Sequence, residues 1–463
     1  MSSDIMLEKL DESLKGKLIY MGDDDYDEAR KVWNGRIDKH PLFIAKCADE
    51  NDVQNTIKFN ESNNILTAVR GGGHSVAGLG TCDNGAVIDL SLMKKIEINT
   101  KLNTVWAQAG LTWGEFDKAT QSYGLATTGS LFSGTGLAGH TLNGGYGWLS
   151  RKYGFTVDNL LSVEMVLADG NQITASPNEN EDLFWGIRGG GGNFGVVTSF
   201  ELKLHQVGQI VYGGMIYYPM SKAKELLTFY REWTWLMPNE LSTMVLFLTL
   251  PPEPFVPQKY IGKQMIGIAV CYTGPIEEGE KIVQPLRDFS TEQVDFLGPI
   301  PYTALQSMLD FNVPNGINSY WKTHNLLDIN NFAIDILLEH VSRMKALSAY
   351  SAVHIYHWEG GIKNKSSMDM SFAHRDARFV LNIIGAWMGF ENPDKHINWA
   401  RRFSHTIQPF SVGQFYLNYF TERSEKNIKA AFGAKNYNRL ITLKNKYDPK
   451  NFFRVNQNIK PTV

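Results

Sequence analysis

Residues 69–78 read Val69-Arg70-Gly71-Gly72-Gly73-His74-Ser75-Val76-Ala77-Gly78, and Val87-Ile88-Asp89-Leu90-Ser91 follows soon after. Three consecutive glycines expose backbone N–H groups, which approach a diphosphate more closely than any residue with a side chain allows. The histidine directly after them stands where the group attached to that diphosphate begins. A phosphate cradle beside a nucleophile suggests a dinucleotide cofactor held covalently. The same run also reads as an ordinary tight loop ending in a solvated histidine, and the rest of the chain has to separate the two.

A second cluster, Gly134-Thr135-Gly136-Leu137-Ala138-Gly139-His140, continues as Thr141-Leu142-Asn143-Gly144-Gly145-Tyr146-Gly147. Its first six residues fit the nicotinamide fingerprint GxGxxG, and Asp158 lies at nearly the spacing of a ribose ligand. The context opposes that reading. The preceding Leu125-Ala126-Thr127-Thr128-Gly129-Ser130 is not a β-branched buried strand, and further glycines interrupt the helix that should follow. A third glycine-rich run covers residues 183–198 and includes Gly189-Gly190-Gly191-Gly192-Asn193 and Val197. Near the end comes Lys450-Asn451-Phe452-Phe453-Arg454-Val455-Asn456-Gln457-Asn458-Ile459.

Taken in order, these segments resemble the bacterial members of the berberine-bridge-enzyme-like branch of the vanillyl-alcohol-oxidase superfamily. The resemblance covers nearly the whole chain, with the first ~35 residues and the substrate domain matching least. It implies an α+β fold: a PCMH-type FAD-binding domain in two parts, residues 1–206 and 414–463. Between them it implies a substrate-binding domain, residues 207–413, whose antiparallel sheet is covered by helices. It also implies FAD bonded through its 8α carbon to His74. The implied cofactor contacts are Arg70, Gly71, Gly72, Gly73, Ser75 and Gly78 in the first loop. Thr135, Gly136, Gly139, His140, Asn143, Gly144 and Gly147 follow in the second, with Val197, Asn418 and Asn456 further on. The linkage needs a neutral, correctly aimed imidazole. Many relatives attach FAD a second time through a cysteine, whose place here falls at or near Phe132. Cys47, Cys82 and Cys271 lie elsewhere, so a single link is expected.

The implied reaction removes a hydride from a C–OH or C–N carbon of a small molecule such as a sugar, alkaloid or secondary metabolite. Dioxygen then takes the electrons, giving hydrogen peroxide. A same-fold dehydrogenase with another acceptor and a flavin-binding protein without turnover are the alternatives. In relatives a residue at the place of Thr135 gates oxygen; threonine matches valine in size but carries a hydroxyl. Gln414-Phe415-Tyr416-Leu417-Asn418-Tyr419-Phe420 resembles the family's Tyr-x-Asn-Tyr strand, in which Tyr416 and Asn418 share one face. Tyr416 is the first candidate for catalytic base. A phenol titrates near ~10, so it needs a nearby positive charge, for which Lys322 matches a family lysine. Packing against the ring is the alternative role for Tyr416. His357 and Glu359, just before Gly360-Gly361, fall where relatives contact substrate, or else they form a solvated edge. His374-Arg375-Asp376 reads as a structural ion-pairing site.

The elements that must position these residues alternate helix and strand signals from about Pro41 to Leu204. Asp49 caps a helix to Asn60, and Thr112 with Glu115 forms a capping box opening the helix to Ser122. Leu161 to Leu167 runs into a hairpin turn. Longer strands follow, among them Thr243 to Leu250, Met265 to Tyr272, Ala352 to Trp358 and Phe379 to Trp387. Residues 251–257 form a proline-rich loop, and a last helix runs from Ala434 to Lys446. The length of 463 residues suits two domains, and 43% hydrophobic with 20% charged residues describes a globular protein. No apolar run spans a bilayer, and a net charge of −3 gives no reason to expect nucleic acid. Three scattered cysteines exclude a zinc site and, with no secretory signal at the start, fit a reducing cytoplasm.

Overall fold

The computed structural model describes residues 3–250, 252, 256–413, 415–422 and 424–463, with side chains from residue 7. Most of the proline-rich loop, and Gln414 of the expected Tyr-x-Asn-Tyr strand, fall outside the described residues. The fold is α+β, with four sheets among the described residues.

In the first sheet, Phe43–Lys46 and Thr67–Arg70 both pair in parallel with Ala86–Asp89, and Lys17–Tyr20 adds an antiparallel edge. Parallel neighbours need a crossover, and the helix Glu50–Ser62 begins one; Asp49 caps it by accepting from Asn51 N and Asp52 N. The triple-glycine loop leaves the carboxyl end of Thr67–Arg70, where ligands of parallel sheets gather. Arg70 and Asp89 are register partners there, and they close a buried ion pair at 2.7 Å. The second sheet is antiparallel, in the order Ile96–Asn99, Thr104–Gln108, Gly195–Lys203, Leu160–Leu167, Gln172–Ala175. The helix Trp113–Gln121 opens with the expected Thr112/Glu115 capping box.

The largest sheet is antiparallel and two-faced. Its central strands include Leu241–Thr249, Ala352–His357 and Phe379–Trp387, and Asn318–Leu326 forms one edge. Successive side chains alternate between faces. Val245, Val353, Ile355, Leu381 and Ile383 pack under the helices Ala223–Trp233, Asn331–Met344 and Pro393–Ile407. Met244, Leu246, Tyr356 and Val380 face the other way, against Phe132, Tyr146, Trp148 and Tyr416. The C-terminal residues Leu440, Leu443, Phe452, Phe453 and Ile459 share a core with the first two sheets. Lys444 is fully buried in that return segment, donating to Asp448 Oδ2 (2.7 Å), Asn193 O (2.7 Å) and Phe453 O (2.9 Å).

One element differs from its expected form. Residues 415–420 make no strand: Tyr416 leads into a tight 3₁₀ turn, Leu417–Tyr419. The phenol oxygen of Tyr416 accepts from the backbone of residues 145 and 146, which draws the chain out of sheet pairing. Asn418 still lies on the same side as Tyr416, to which its amide donates at 3.0 Å.

Asp117, on the helix Trp113–Gln121, accepts from Gln306 Nε2 at 2.7 Å and so joins the part built on the first two sheets to the large-sheet part. Burial raises its carboxyl to about 7. A carboxyl whose folded pKa exceeds its unfolded value stabilises the fold fully below the unfolded pKa, and loses that contribution as pH rises through the folded one. Stability should therefore fall as pH climbs from about 4 to 7. Asp117→Asn, which keeps the shape without the charge, should flatten that slope and exceed the parent at pH 8. Urea midpoints across the range measure this; a parallel slope in the variant would remove Asp117 as its cause.

Candidate active site

The glycine loops, the 3₁₀ turn and the C-terminal segment converge on one cleft. Its walls come from residues 71–76, 135–143, 191–197, 417–420 and 453–457, with Ser130, Phe132 and Trp321 between them. No lining residue carries a charged side chain. An anion there meets backbone N–H dipoles rather than lysine or arginine.

The glycines have separate tasks. The backbones at Gly72 and Gly136 cross so closely that a Cβ on Gly72 would lie 2.4 Å from Gly136 Cα, and one on Gly136 2.3 Å from Gly72 N. Gly139 and Gly192 line the cleft, and a Cβ on either would meet nothing within 4 Å. Open space at those two positions is what a bound group requires. Gly71 and Gly73 line it as well. Gly78, Gly144 and Gly147 do not; they shape the backbone instead. Gly78 and Gly144 have φ of 68° and 111°, and a Cβ on Gly147 would fall 1.7 Å from Gly129 O. Arg70 is likewise outside the lining, spent on Asp89.

His74 faces the cleft with its imidazole parallel to the Trp33 indole, 4.3 Å away and 13° apart, and parallel to Phe132 at 6.4 Å. Burial lowers its pKa to about 4, with only a hydrogen bond from the ring to its own backbone carbonyl pulling the other way, so the ring is neutral at pH 7. His140 is also neutral, its pKa lowered to about 4 by burial. Its Nε2 lies 3.1 Å from Tyr146 O, which assigns the proton to Nε2, and its buried Nδ1 is left with no hydrogen-bond partner. A buried acceptor without a donor on the wall of a cleft fits a ligand that supplies one. Ser75, Asn143, Val197, Asn418 and Asn456 complete the expected contacts within the lining. Asn456 Nδ2 donates to Gly192 O and Phe453 O at 3.0 Å, tying the C-terminal wall to the third glycine run. Thr135 lines the cleft and accepts from Ser130 Oγ at 3.1 Å.

Tyr416 stands just behind the lining, its ring 4.8 Å from that of Tyr419, which faces the cleft with Asn418. Its oxygen accepts from Gly145 N (3.1 Å), Tyr146 N (3.1 Å) and Asn418 Nδ2 (3.0 Å). Burial raises its pKa well above the ordinary phenol value, while these three donors pull it down. The charge expected beside it from Lys322 goes elsewhere. Trp321 takes the cleft face of its strand, so Lys322 points to the helix-covered side and pairs with Glu422 at 2.6 Å. The same alternation moves His357 and Glu359 out of the cleft. Tyr356 faces the cofactor side, and His357 turns to the other, where it contacts Arg151 and lies 2.9 Å from Glu359 Oε2. Arg378 Nε is 3.4 Å from the same carboxylate. Burial lowers His357 to about 3, so a neutral imidazole bridges Arg151 to the Glu359 carboxylate, which Arg378 meets directly.

Asp158, the would-be ribose ligand, is held by Arg375 in two bonds of 2.8 and 2.6 Å, both side chains buried. That removes the nicotinamide reading and gives residues 374–376 their ion pair. Sequence reasoning missed Trp33, Trp321, Tyr419 and Gln457, which stand beside or within the cleft. Trp33 comes from a segment with no motif and Trp321 carried no signal beyond aromatic richness, whereas Tyr419 and Gln457 lie within runs that resemble the family's and were given no role of their own. Among the described residues, no helix is long and apolar enough to cross a membrane, and no group of three metal-ligating side chains exists.

Comparison with known proteins agrees with this geometry. The family described as FAD binding domain matches residues 41–176, and that described as berberine and berberine like matches residues 415–460. An FAD-linked oxidoreductase of Dictyostelium discoideum is 32% identical over 455 residues, covering 97% of this chain and 96% of its own. The (R)-6-hydroxynicotine oxidase of Paenarthrobacter nicotinovorans is 28% identical over 466 residues, covering 97% of each. The crystal structure of 6-hydroxy-D-nicotine oxidase from Arthrobacter nicotinovorans matches with a TM-score of 0.86 at 27% identity, over 97% of this chain and 98% of that one. FAD suits what the cleft offers: open space over Gly139 and Gly192, the lone acceptor on His140, and glycine backbones in place of cations. With the family matches covering the first two glycine loops, the 3₁₀ turn and the C-terminal wall of the cleft, and a relative 32% identical over nearly the whole chain, the chain belongs to the berberine-bridge-enzyme-like family of FAD-linked oxidoreductases.

Proposed function

We propose that this protein oxidises a carbon bearing a hydroxyl or an amine nitrogen in a small organic molecule, using FAD bonded to His74 and dioxygen as the electron acceptor. The observation that carries the reading is the setting of Tyr416. A base that takes a proton as hydride leaves must be able to hold negative charge, and the Tyr416 oxygen already accepts three N–H bonds of 3.0–3.1 Å. These donors stabilise a phenolate more than a phenol and so offset part of the rise in pKa that burial imposes. The role expected of Lys322 thus passes to two backbone amides and Asn418. Bound FAD supplies the hydride acceptor.

The other residues follow from their placement. The glycine loops hold the diphosphate through backbone N–H groups. The neutral imidazole of His74, facing the cleft, supports it as the single attachment point, with Phe132 rather than a cysteine beside it. With its oxygen engaged by Ser130, Thr135 presents to the cleft a residue of valine's size, which supports access for dioxygen. Likeness over 97% of both chains to an oxidase named for hydroxynicotine supports a C–N centre, and cyclic amines come first among candidate substrates.

A panel of cyclic amines, alcohols and sugars, scored by anaerobic bleaching of the flavin, should contain a compound that bleaches it, and admitting air should restore the colour within seconds. Bleaching that persists in air would make the protein a dehydrogenase. With that substrate, Tyr416→Phe should slow flavin reduction by ~10²–10⁴-fold while FAD stays bound. Unchanged reduction in stopped flow would take the base away from Tyr416. After acid precipitation the flavin should remain with the unsubstituted protein, on a peptide containing His74 and none of the three cysteines. His74→Ala should bind FAD and release it in acid. Full release from the unsubstituted chain would refute the covalent link and leave the fold assignment standing.

A further inference from the structure

Residues 33–35 join the part that carries the glycine loops to the large-sheet part, beside the cleft. Trp33 N donates to Gly73 O at 3.1 Å, and Asn34 Nδ2 donates to Val76 O at 2.8 Å, so the stretch grips the attachment loop on both sides of His74. Its other bonds run to the large-sheet part. Trp33 Nε1 donates to Val313 O (2.9 Å), Gly316 N to Trp33 O (3.0 Å) and Gly35 N to Ile317 O (2.9 Å). Asn34 also exchanges two bonds of 2.9 Å with the backbone of Ser319. Both side chains are buried, at 5% and 0% exposure. From this clamp the Trp33 indole lies against the His74 imidazole, 4.3 Å away and 13° from parallel, with Trp321 edge-on behind it at 5.9 Å.

A stacked ring constrains an imidazole differently from a hydrogen bond. A donor placed on a ring nitrogen occupies the lone pair that a nucleophile needs. A parallel ring fixes the plane, and the lone pairs lie in that plane, so stacking aims them without consuming them. Aim is what an attack between bound groups depends on most.

We infer that Trp33 is the positioning residue for the bond between His74 and FAD, and that the large-sheet part, through Val313 and Gly316, sets the plane in which that bond forms. The inference rests on the covalent reading above. In the step, a bond forms between an imidazole nitrogen and the 8α carbon, while one C–H bond of the 8α methyl and the imidazole N–H break. Both protons leave, and the electron pair passes to the flavin, from which dioxygen removes it with two protons as hydrogen peroxide. Trp33 takes no part in the bond changes. Because its indole is pinned from the large-sheet part, the bond forms only after that part has docked on residues 33–35.

The test follows the covalent share of the flavin in the full chain. Each variant is purified with its FAD, incubated in air and sampled over time, with total flavin read by absorbance and linked flavin by acid precipitation. Trp33→Ala should retain FAD yet link it roughly 10–100-fold more slowly than the parent. Trp33→Phe, which keeps a ring in place, should link at close to the parent rate. A Trp33→Ala protein that links as fast as the parent would overturn the inference and leave the covalent reading intact. Flavin lost altogether from both variants would make Trp33 a folding residue and overturn it as well. A parent that releases all its FAD in acid would remove the covalent reading and this inference together. Should Trp33→Ala yield no soluble protein, Trp33→Leu takes its place, and a parent-like rate there is equally decisive against it.

Discussion

The cleft depends on one steric constraint: two backbones pass at Gly72 and Gly136 with no room for a Cβ on either. Each loop is fixed at its base by bonds unconnected with any ligand. The first leaves a strand end locked by Arg70 and Asp89. The second is tied down where Trp113 N donates to Thr135 O and Leu137 N to Leu111 O, both at 2.9 Å. With their bases fixed, the loops can close the floor of the cleft only if their tips touch, and only glycine permits that contact. His74 follows one tip and His140 the other. Their common access to the cleft is therefore a consequence of two missing side chains.

Above that floor, the large sheet acts as a wall with separate jobs on its two faces. The face under the helices buries aliphatic side chains and carries Lys322 and His357 away from the cleft. The opposite face presents Trp321, Tyr356 and their neighbours. The stretch from residue 33 to 35 bonds both to the first glycine loop and to the large-sheet part, and Tyr416 bonds to residues 145 and 146 while its ring stands edge-on to Trp358 at 5.5 Å.

What could be read from the amino acids follows from how local each signal is. The capping box at Thr112, the cap at Asp49 and the strand Phe379–Trp387 are written in a few adjacent residues, and they stand in the structure as read. The glycine loops were legible because glycine is the only residue that fits them. The directions of polar side chains were not. Tyr416 looked like a strand residue because its neighbours alternate, but an acceptor oxygen within reach of two free amides outweighed pairing. Lys322, His357 and Glu359 were placed in the right part of the fold and on the wrong side of their sheet. Period two states which residues share a face, and only packing states which face meets the cofactor. Trp33 was invisible because its partners lie 40 and 280 positions away, too far for any pattern. The helix Pro393–Ile407, amphipathic and opened by Asn392 before Pro393, had readable signals that went unused.

The distribution of charge ties these features together. Buried ion pairs are numerous here, including Arg70–Asp89, Arg375–Asp158 and Lys444–Asp448, and each fastens a loop or segment behind the cleft wall. Removing one partner of such a pair typically costs about 3–5 kcal/mol, so these pairs specify geometry stringently even where their net contribution is small. The cleft itself holds none of them. Two neutral imidazoles, amides, hydroxyls and aromatic rings line it instead. A diphosphate in such a site is held by dipoles and contact area, with no cation to add Coulombic attraction. Placing cations there would have drawn in any anion and filled the space the flavin needs. Without them, retention of the cofactor falls to packing and to the proposed bond at His74. On the covalent reading, that division of labour accounts for a loop around His74 gripped from both parts of the molecule: where no charge holds the ligand, a nucleophile that bonds to it has to be aimed.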